Sequence, residues 1–480
     1  MPQVQENAPN RSAQALVMKW PLPPNPQTPN SPTHNEPNTH HATQTRVIID
    51  TDPGIDDLVA LLLALSTPAD LLEVLAITLV RGNVDVHLSL RNIVTLFHTL
   101  EQELAFRRKH SLPENFDGVT KFKPLVAIGS DEPLLDPMES DFFHGRDGML
   151  GVHGSHPHLS PQGEWADLFK EEAAGLTDEA VAAAARGASR GSISSHASSF
   201  VPSTRPAHEE ILRLLRENEA GTITLISIGP LTNFAIAAAE DPETFLRAKE
   251  VIVMGGTVEH YGNVSPVAEF NIWADPLAAA RVFALSGPSP ASTIPVELDE
   301  RCGLKAYPEG ITASKQLRVI MMGLDITESH VLTKELWEEK CKPWLHRGSP
   351  LAIWSDTFIK QMLDKMERMG EGAVLTLHDP MCVYYALTSA EQGWMFSAAG
   401  RNDDAGQGGW EDIRVECGAQ WTRGMTVGDT RPRKRRGSDG FRTYDQGNWL
   451  GAKSGNRIWR VVDSPGSEGP GRRIVEQLFG

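Results

Sequence analysis

Short apolar runs alternate with longer amphipathic stretches along most of the chain, beginning at Arg46. The short runs are typical of buried strands, and the longer stretches repeat apolar residues at helical spacing. This alternation predicts an α/β fold, a single large Rossmann-like domain with a mostly parallel central sheet flanked by helices. We predict strands at 47–49, 71–80, 125–128, 222–228, 250–254 and 318–324, and helices at 58–65, 86–100, 208–218, 231–240, 275–285 and 351–369.

Three segments depart from the alternation and define the predicted organisation of the chain. Residues 1–45 are rich in Pro, Asn, Thr and His, and we expect a disordered tail because their small apolar surface cannot offset the entropy of ordering. Within the main domain, 46–430, the Gly/Ser-rich stretch predicts a low-complexity surface insertion over 155–206. A basic loop and C-terminal extension, 431–480, would complete the domain. The basic run at 431–436 is typical of a solvated loop, with a nuclear-import address as the alternative.

Composition excludes several classes of partner. The 480 residues carry 62 acidic and 45 basic side chains, a net charge of −17, which disfavours binding to nucleic acid or to anionic membranes. The longest apolar run, 58–65, is far shorter than the roughly 20 residues that a membrane span requires. The four cysteines are scattered without metal-ligand spacing, and the first 45 residues lack the apolar core of a secretory signal. We therefore expect a reduced, cytoplasmic protein.

The segment Val47–Asp57, V-I-I-D-T-D-P-G-I-D-D, is the most informative in the chain. Its four carboxylates within eight residues, between a buried strand and a helix, would repel one another unless a cation lay among them. Oxygen ligands favour Ca²⁺ or Mg²⁺ over zinc. An EF-hand is excluded, because the twelfth residue counted from Asp50 is Leu61 instead of a glutamate. The alternative is a capped helix with a solvated acidic loop.

Two further groups of polar residues occur downstream. Asn263, Glu269 and Asn271 offer amide and carboxylate groups suited to the hydroxyls of a sugar. His378 and Asp379 follow an apolar run, where the aspartate could ligate a metal and the histidine could act as an acid. A structural hydrogen bond between the two is the alternative reading of this pair.

Seven motifs, taken together and in order, give the chain a family resemblance. They resemble the inosine-uridine preferring nucleoside hydrolases, which are calcium-dependent ribonucleoside N-glycosidases, and the likeness extends from about Arg46 to Leu387, with a weaker stretch at 420–429. The motifs are D-T-D-P-G-I-D-D (50–57), G-N (82–83), H-G-R-D-G (144–148), G-P-L-T-N (229–233), M-G-G (254–256), A-E-F-N (268–271) and H-D-P (378–380).

The resemblance implies a nucleoside hydrolase-like fold, an activity and a cofactor. The expected reaction is hydrolysis of the N-glycosidic bond of a small-molecule ribonucleoside, uridine or inosine, to free base and ribose in nucleoside salvage. Ca²⁺ would be held by Asp52, Asp57, Asp379 and the backbone carbonyl of Ile228, and Asp52 would take the proton of the attacking water. A homodimer or homotetramer is also implied.

The resemblance further assigns substrate contacts. Asp56 and Asn271 would bind ribose hydroxyls, Asn263 and Glu269 the 5′-hydroxyl, and Asn83 would support the acidic cluster. His378 would protonate the leaving base. Asp50 would fix the turn without binding the metal. Three aromatic side chains would flank the base or belong to the core: Phe143, His144 and Trp273.

Two other functions stay open from the sequence. The run Val47–Asp52 also fits the opening of a haloacid-dehalogenase-like phosphatase with Asp50 as nucleophile and Mg²⁺ as cofactor. That reading leaves the A-E-F-N and H-D-P motifs unexplained, and Gly54 stands where the phosphatase pattern has Thr or Val. A catalytically inactive nucleoside- or ribose-binding protein is the second alternative.

Overall fold

A computed structural model describes residues 44–480 except 139, 141, 162, 170–198, 398–408, 432, 434, 440 and 441. Its strands are β1 (Thr45–Thr51), β2 (Leu72–Leu79), β3 (Leu125–Ile128), β4 (Val201–Pro202), β5 (Ile223–Ser227), β6 (Glu250–Met254), β7 (Val319–Met322), β8 (Val331–Thr333), β9 (Val374–Thr376), β10 (Met395–Phe396), β11 (Ile413–Val415), β12 (Thr426–Gly428) and β13 (Ile458–Asp463).

The α-helices among these residues have the following bounds: α1 (Ile55–Ser66), α2 (Val86–Lys109), α3 (Val152–Ser155), α4 (Ala207–Glu217), α5 (Thr232–Glu240), α6 (Pro242–Phe245), α7 (Phe270–Ala274), α8 (Pro276–Ala284), α9 (Val296–Cys302), α10 (Leu324–Thr327), α11 (Lys334–Arg347), α12 (Pro350–Met369), α13 (His378–Thr388) and α14 (Gly469–Phe479).

Within the described residues, nine strands form one sheet in the order β10-β13-β7-β6-β5-β1-β2-β3-β4. Every neighbouring pair is parallel except β10 with β13. Strand β1 lies near the centre and its residues Val47, Ile48 and Ile49 are fully buried. Helices cover both faces of such a sheet, which explains the continuous apolar strands in the sequence. The predicted α/β class with a mostly parallel sheet is confirmed.

Several predicted boundaries are corrected by the structure. Helix α1 begins at Ile55, three residues before the predicted start, because Asp57 accepts a hydrogen bond from the backbone N–H of Gly54 and caps the first turn. The strand predicted at 318–324 ends at Met322, since Gly323 precedes the short helix α10. Helix α2 continues nine residues past its predicted end at Leu100.

A buried ion pair explains the extra length of α2. Glu103 and Arg107 are one helical turn apart, fully buried, and joined at 2.7 Å. Glu103 also accepts from the hydroxyl of Ser349, and Arg107 donates to the carbonyl of Leu478. These polar residues broke the apolar pattern in the sequence, yet they connect α2 to the start of α12 and to α14. Burial of such a pair requires these additional hydrogen bonds.

The predicted surface insertion over 155–206 is wrong at its two ends. Strand β4 pairs with β3 and forms one edge of the sheet. Phe200 is buried and stacks on Phe97 and Phe169, with ring centroids 4.9 and 6.2 Å apart. Both ends therefore pack into the domain through aromatic side chains. The central part of the predicted insertion, 170–198, lies outside the described residues, as does the predicted disordered tail up to residue 43.

The C-terminal extension contributes to the sheet. Strand β13 pairs with β7, and α14 packs against α11 and α1. The described residues of the basic run, 431, 433, 435 and 436, lie outside any helix or strand. Arg433 is exposed, whereas Arg431 pairs with Asp429 at 2.6 Å and Arg436 pairs with the buried Asp445 at 3.0 Å. Across the part of the chain that the structure describes, we find no helix long and apolar enough to cross a membrane.

Candidate active site

The candidate site lies at the carboxyl edge of the parallel sheet. Asp52 directly follows β1, Asn83 follows β2, and Ile228 follows β5, while His378 and Asp379 begin α13. Because the carboxyl ends of parallel strands meet at one edge, side chains distant in sequence come together there.

Three aspartates form a buried cluster in this site. Carboxylate oxygens of Asp56, Asp57 and Asp379 all lie within 4.8 Å of one another. Burial and the charge of Asp57 raise the pKa of Asp56 to about 8. Burial and the charges of Asp56 and Asp57 also raise the pKa of Asp379. The carboxylates therefore resist ionising together, and the cluster could hold a metal ion that compensates their charge.

Asp52 presents one unsatisfied oxygen to the same site. Its Oδ2 accepts a hydrogen bond from the backbone N–H of Asn83 at 2.6 Å, whereas the buried Oδ1 has no partner among the described residues. Gly82 and Gly229 enclose the carboxylate, and a Cβ atom at either position would collide with it. Burial, and then the charge of Asp57, raise the pKa of Asp52. An orphaned buried oxygen of this kind indicates a position for a ligand.

The acidic turn is fixed by hydrogen bonds to Asp57. Its carboxylate accepts from the hydroxyl of Thr51 at 2.6 Å, the N–H of Gly54 at 2.9 Å and the side chain of Asn83 at 3.1 Å. Asn83 therefore contacts both Asp52 and Asp57. The two aspartates at the start of α1 also interact favourably with the positive end of the helix dipole.

Asp50 lies behind the turn, within β1. Its Oδ1 accepts from Thr78 at 2.5 Å and from the amide of Asn233 at 2.8 Å, and burial raises its pKa to about 7. Asn233 also binds the carbonyl of Leu79 and the N–H of Ser130. The asparagine of the G-P-L-T-N motif thus joins three strand ends through its side chain.

The three residues predicted to bind a sugar meet at the start of α7. Asn271 donates through Nδ2 to the carbonyls of Ile228 and Met254, at 3.3 and 3.2 Å. Asn263 accepts from the N–H of Phe270 at 2.9 Å. Glu269 caps the helix: Oε1 accepts from Asn271 N–H, and Oε2 from the N–H groups of Gly256 and Ile272. Glu269 thus already has a structural role that the sequence did not predict.

Two histidines lie beside the acidic cluster. The backbone N–H of Ile55 donates to Nδ1 of His144 at 3.2 Å, so the proton of this neutral ring is on Nε2, 3.6 Å from Asp56. His378 makes a 2.9 Å hydrogen bond through Nδ1 to the hydroxyl of Thr327. Burial lowers the pKa of His144 to about 3, together with the charges of Lys365 and His378, and that of His378 to about 4.

The other two aromatic candidates, Phe143 and Trp273, pack in different hydrophobic clusters. The ring of Phe143 lies 3.8 Å from the ammonium of Lys365. Trp273 packs against a small cluster that contains Met138 and Phe270, and the guanidinium of Arg423 lies 5.6 Å from its ring centroid.

Sequence analysis missed Asn92, which joins the acidic turn to the H-G-R-D-G loop. Its Nδ2 donates to the carbonyls of Pro53 and Asp147, both at 2.9 Å. Its Oδ1 accepts from Nε2 of His153 at 2.8 Å, and Nδ1 of His153 pairs with Ser160 at 2.6 Å. Asn92 appears in the sequence as one polar position in a long helix, so only the tertiary structure identifies its role.

Lowering the pH from 7 to 5 should reduce the stability that His153 contributes to the fold. Burial, followed by the charge of Arg91, lowers the pKa of this ring from 6.5 to about 4, so the folded state holds it neutral. The unfolded chain binds the proton more readily, and the stability contributed at high pH is lost as the pH falls from 6.5 toward 4. This linkage removes about 2 kcal/mol between pH 7 and 5.

Urea denaturation at the two pH values measures this loss. The His153→Gln variant is the control, because glutamine can still donate to Asn92 and does not titrate in this range. Between pH 7 and 5, the free energy of unfolding should change less favourably in the wild type than in the variant by about 2 kcal/mol, and equal changes would contradict the assignment.

Comparisons with known proteins place the chain in a family. A family model described as inosine-uridine preferring nucleoside hydrolase matches residues 47–449. The chain is 29% identical over 387 residues to an uncharacterized protein of Schizosaccharomyces pombe, covering 80% of this chain and 89% of that protein. It is 27% identical over 392 residues to the pyrimidine-specific ribonucleoside hydrolase RihA of Klebsiella pneumoniae, covering 80% and 88% of the two chains.

A solved structure shows the same fold. The plant nucleoside hydrolase PpNRh1 is 22% identical, with a TM-score of 0.55 over 91% of this chain and 99% of its own. The family match spans all seven motifs, from the acidic turn to the H-D-P segment. The chain therefore belongs to the inosine-uridine preferring nucleoside hydrolase family and is a ribonucleoside hydrolase.

Proposed function

We propose that this protein hydrolyses pyrimidine ribonucleosides, uridine above all, and inosine, to free base and ribose in nucleoside salvage, with Ca²⁺ as its cofactor. The observation that carries the proposal is the buried aspartate cluster with the orphaned Oδ1 of Asp52 beside it. The pyrimidine specificity in the name of the Klebsiella relative supports the choice of uridine.

The donor set fits Ca²⁺. The proposed ligands supply only oxygen atoms, which Ca²⁺ prefers, whereas zinc favours nitrogen and sulfur ligands. They are the carboxylates of Asp52, Asp57 and Asp379 and the carbonyl of Ile228. Asp56 lies in the same cluster, so its carboxylate is within reach of either the ion or the ribose. When bound, the ion lowers the pKa of the attacking water.

Asp52 is the general base in this proposal. Its free Oδ1 accepts the proton of the attacking water, while the N–H of Asn83 keeps the carboxylate oriented through Oδ2. The buried position and neighbouring charges raise the affinity of this carboxylate for a proton, which favours that role.

The ribose is held by Asp56, Asn271, Asn263 and Glu269. Asp56 and Asn271 bind ring hydroxyls, and Asn263 and Glu269 bind the 5′-hydroxyl. The acidic surroundings stabilise the positive charge that develops on the sugar as the base departs. Binding energy from the ribose hydroxyls can lower the barrier to reaction at the anomeric carbon, so a 2′-deoxynucleoside should be a poor substrate.

Replacing His378 by alanine should slow uridine cleavage by about a hundredfold. With a pKa of about 4 the ring is neutral, and it assists the departing base through the hydrogen on Nε2 while Nδ1 accepts from the Thr327 hydroxyl. The Nδ1 contact with Thr327 leaves Nε2 on the opposite side of the ring. A 4-nitrophenyl riboside, whose leaving group needs no proton, should react at nearly the wild-type rate. Initial rates with the two substrates test the assignment. The role of His378 as acid would be refuted by equal losses on both.

The proposed function is tested by release of reducing sugar from uridine, inosine, cytidine, adenosine and 2′-deoxyuridine, in Ca²⁺ and without phosphate. We expect uridine and inosine to react fastest and 2′-deoxyuridine slowest. Absence of release from every nucleoside, with the protein folded, would refute hydrolysis and favour a binding protein. Equal rates for uridine and 2′-deoxyuridine would refute the proposed grip on the ribose.

The phosphatase alternative has little support in the geometry. Asp50 is fully buried within β1, where Oδ1 accepts from Thr78 and Asn233 and Oδ2 has no partner among the described residues, whereas a nucleophile must face its substrate. Assembly into a dimer or tetramer and a cytoplasmic location stay predictions from the sequence.

A further inference from the structure

Outside the acidic cluster, one loop of the site is held by an unusual set of contacts. The loop comprises residues 257–263, between β6 and the helix α7. The carboxylate of Asp325 accepts from three successive backbone N–H groups of this loop, those of Val258, Glu259 and His260, at 3.0, 2.6 and 3.2 Å. Three charge-assisted hydrogen bonds to adjacent N–H groups fix the backbone of the loop in one conformation.

Arg460 holds the same loop from the C-terminal extension. Its side chain is 2% exposed, and Nη1 lies 3.5 Å from Oδ1 of Asp325. Nη2 donates to Glu259 at 3.1 Å, and Nε donates to Glu411 at 2.7 Å. Arg460 lies on β13, beyond the segment 47–449 that matches the family. The extension therefore reaches an edge of the site through one guanidinium group.

The far end of the loop leads to a predicted substrate residue. Asn263 is fixed by the N–H of Phe270, next to the cap residue Glu269. Gly262 lies so close to the backbone of Ser265 and Ala268 that a Cβ atom would not fit there. The turn is therefore stiff, and a shift of 258–260 is transmitted to Asn263 instead of being absorbed by the loop.

We propose that Asp325, oriented by Arg460, is a positioning residue that sets the recognition of the 5′-hydroxyl of the ribonucleoside. Asp325 and Arg460 do not touch the substrate themselves. They hold loop 257–263 so that the amide of Asn263 faces the 5′ end of the sugar. This inference rests on the proposed function, because it requires a ribonucleoside with Asn263 at its 5′ end.

The test compares uridine with 5′-deoxyuridine in the full-length, calcium-supplied enzyme. Asp325→Asn cannot accept all three N–H bonds, and it should lower kcat/KM for uridine about tenfold, mainly through KM. The loss on 5′-deoxyuridine should be less than about threefold, so the preference for the 5′-hydroxyl shrinks. Glu259→Ala removes the outer contact with Arg460 and should shift the preference in the same direction by about threefold.

The matched control is Asp364→Asn, which should leave the preference unchanged. Asp364 lies on α12 and pairs with Lys334 at the start of α11. Equal losses on both substrates in Asp325→Asn would show a merely structural role and overturn the inference, while hydrolysis itself stands. If Asp325→Asn fails to fold, Glu259→Ala decides, and an unchanged preference in that variant overturns the inference. A wild type inactive on uridine would instead overturn the proposed function, and this inference with it.

Discussion

Replacing Asp52 by alanine should lower kcat for uridine by at least about a thousandfold. The carboxylate is buried, with Oδ2 bound to the N–H of Asn83 and Oδ1 without a partner among the described residues, so the substitution removes the proposed base. The fold should survive. Asp52 repels Asp57 in a buried environment, and its removal relieves that repulsion.

Initial rates and thermal unfolding in a chelator test both parts of this prediction. The melting temperature of the metal-free variant should equal or exceed that of the metal-free wild type. Asp52→Asn keeps the size and shape of the side chain and should be equally inactive, which excludes a cavity as the cause. Near-normal turnover in either variant would refute Asp52 as the base.

The Asp50→Asn variant distinguishes the nucleoside hydrolase proposal from the phosphatase alternative. Asp50 accepts bonds from Thr78 and Asn233, both of which asparagine can retain through its carbonyl oxygen. The nucleoside hydrolase proposal therefore predicts a much smaller loss than at Asp52. A phosphatase would show the opposite order, with activity on phosphate esters that disappears in Asp50→Asn.

The sequence predicted correctly those elements of the fold that are encoded by neighbouring residues. The strand, turn and helix around Asp50–Asp57 are encoded by adjacent residues: apolar strand residues, Pro53 and Gly54 at the turn, and acidic residues in the first helical turn. The prediction of this unit was correct apart from a three-residue error at the start of α1.

Other contacts could not be predicted, because each depends on a partner far along the chain. Asp325 binds N–H groups more than 60 residues upstream, and Asn92 binds Pro53 and Asp147, about 40 and 55 residues away. A polar residue within a helix gives no indication of such a partner. Strand β13 was also missed, since Arg460 interrupts its apolar run, although that arginine is buried through three acidic partners.

The acidic turn and the H-G-R-D-G motif depend on each other in a way that neither reveals alone. The glycine at 148 packs against Asn92 and the carbonyl of Pro53 with a positive φ of 77°, a conformation that favours glycine. The H-G-R-D-G loop can therefore lie directly on the acidic turn, which brings His144 to Ile55 and Asp56. The motif is explained by close backbone approach as much as by its histidine.

Removing calcium should abolish activity and lower the melting temperature together. Without a cation, the buried carboxylates of Asp56, Asp57 and Asp379 repel one another. Burial raises the pKa of all three, and neighbouring carboxylates raise those of Asp56 and Asp379 further. Below about pH 4 these carboxyls are protonated in both the folded and the unfolded state, so a raised pKa leaves the free energy of unfolding unchanged. As the pH rises toward the folded-state pKa, about 8 for Asp56, only the unfolded state ionises freely and the free energy of unfolding falls. The metal-free protein should thus lose stability between about pH 4 and 8.

Calcium binding should reverse this trend, because the ion binds ionised carboxylates in the folded state alone. At free Ca²⁺ a thousand times Kd, the stabilisation is about 4 kcal/mol, and the rise in melting temperature should be larger at pH 8 than at pH 5. Differential scanning calorimetry with chelator, Ca²⁺ or Mg²⁺ measures the effect. Asp379→Asn should weaken it, whereas Asp364→Asn on the exposed face of α12 should not. Full activity in chelator, with no calcium-dependent change in melting temperature, would refute a metal in this cluster.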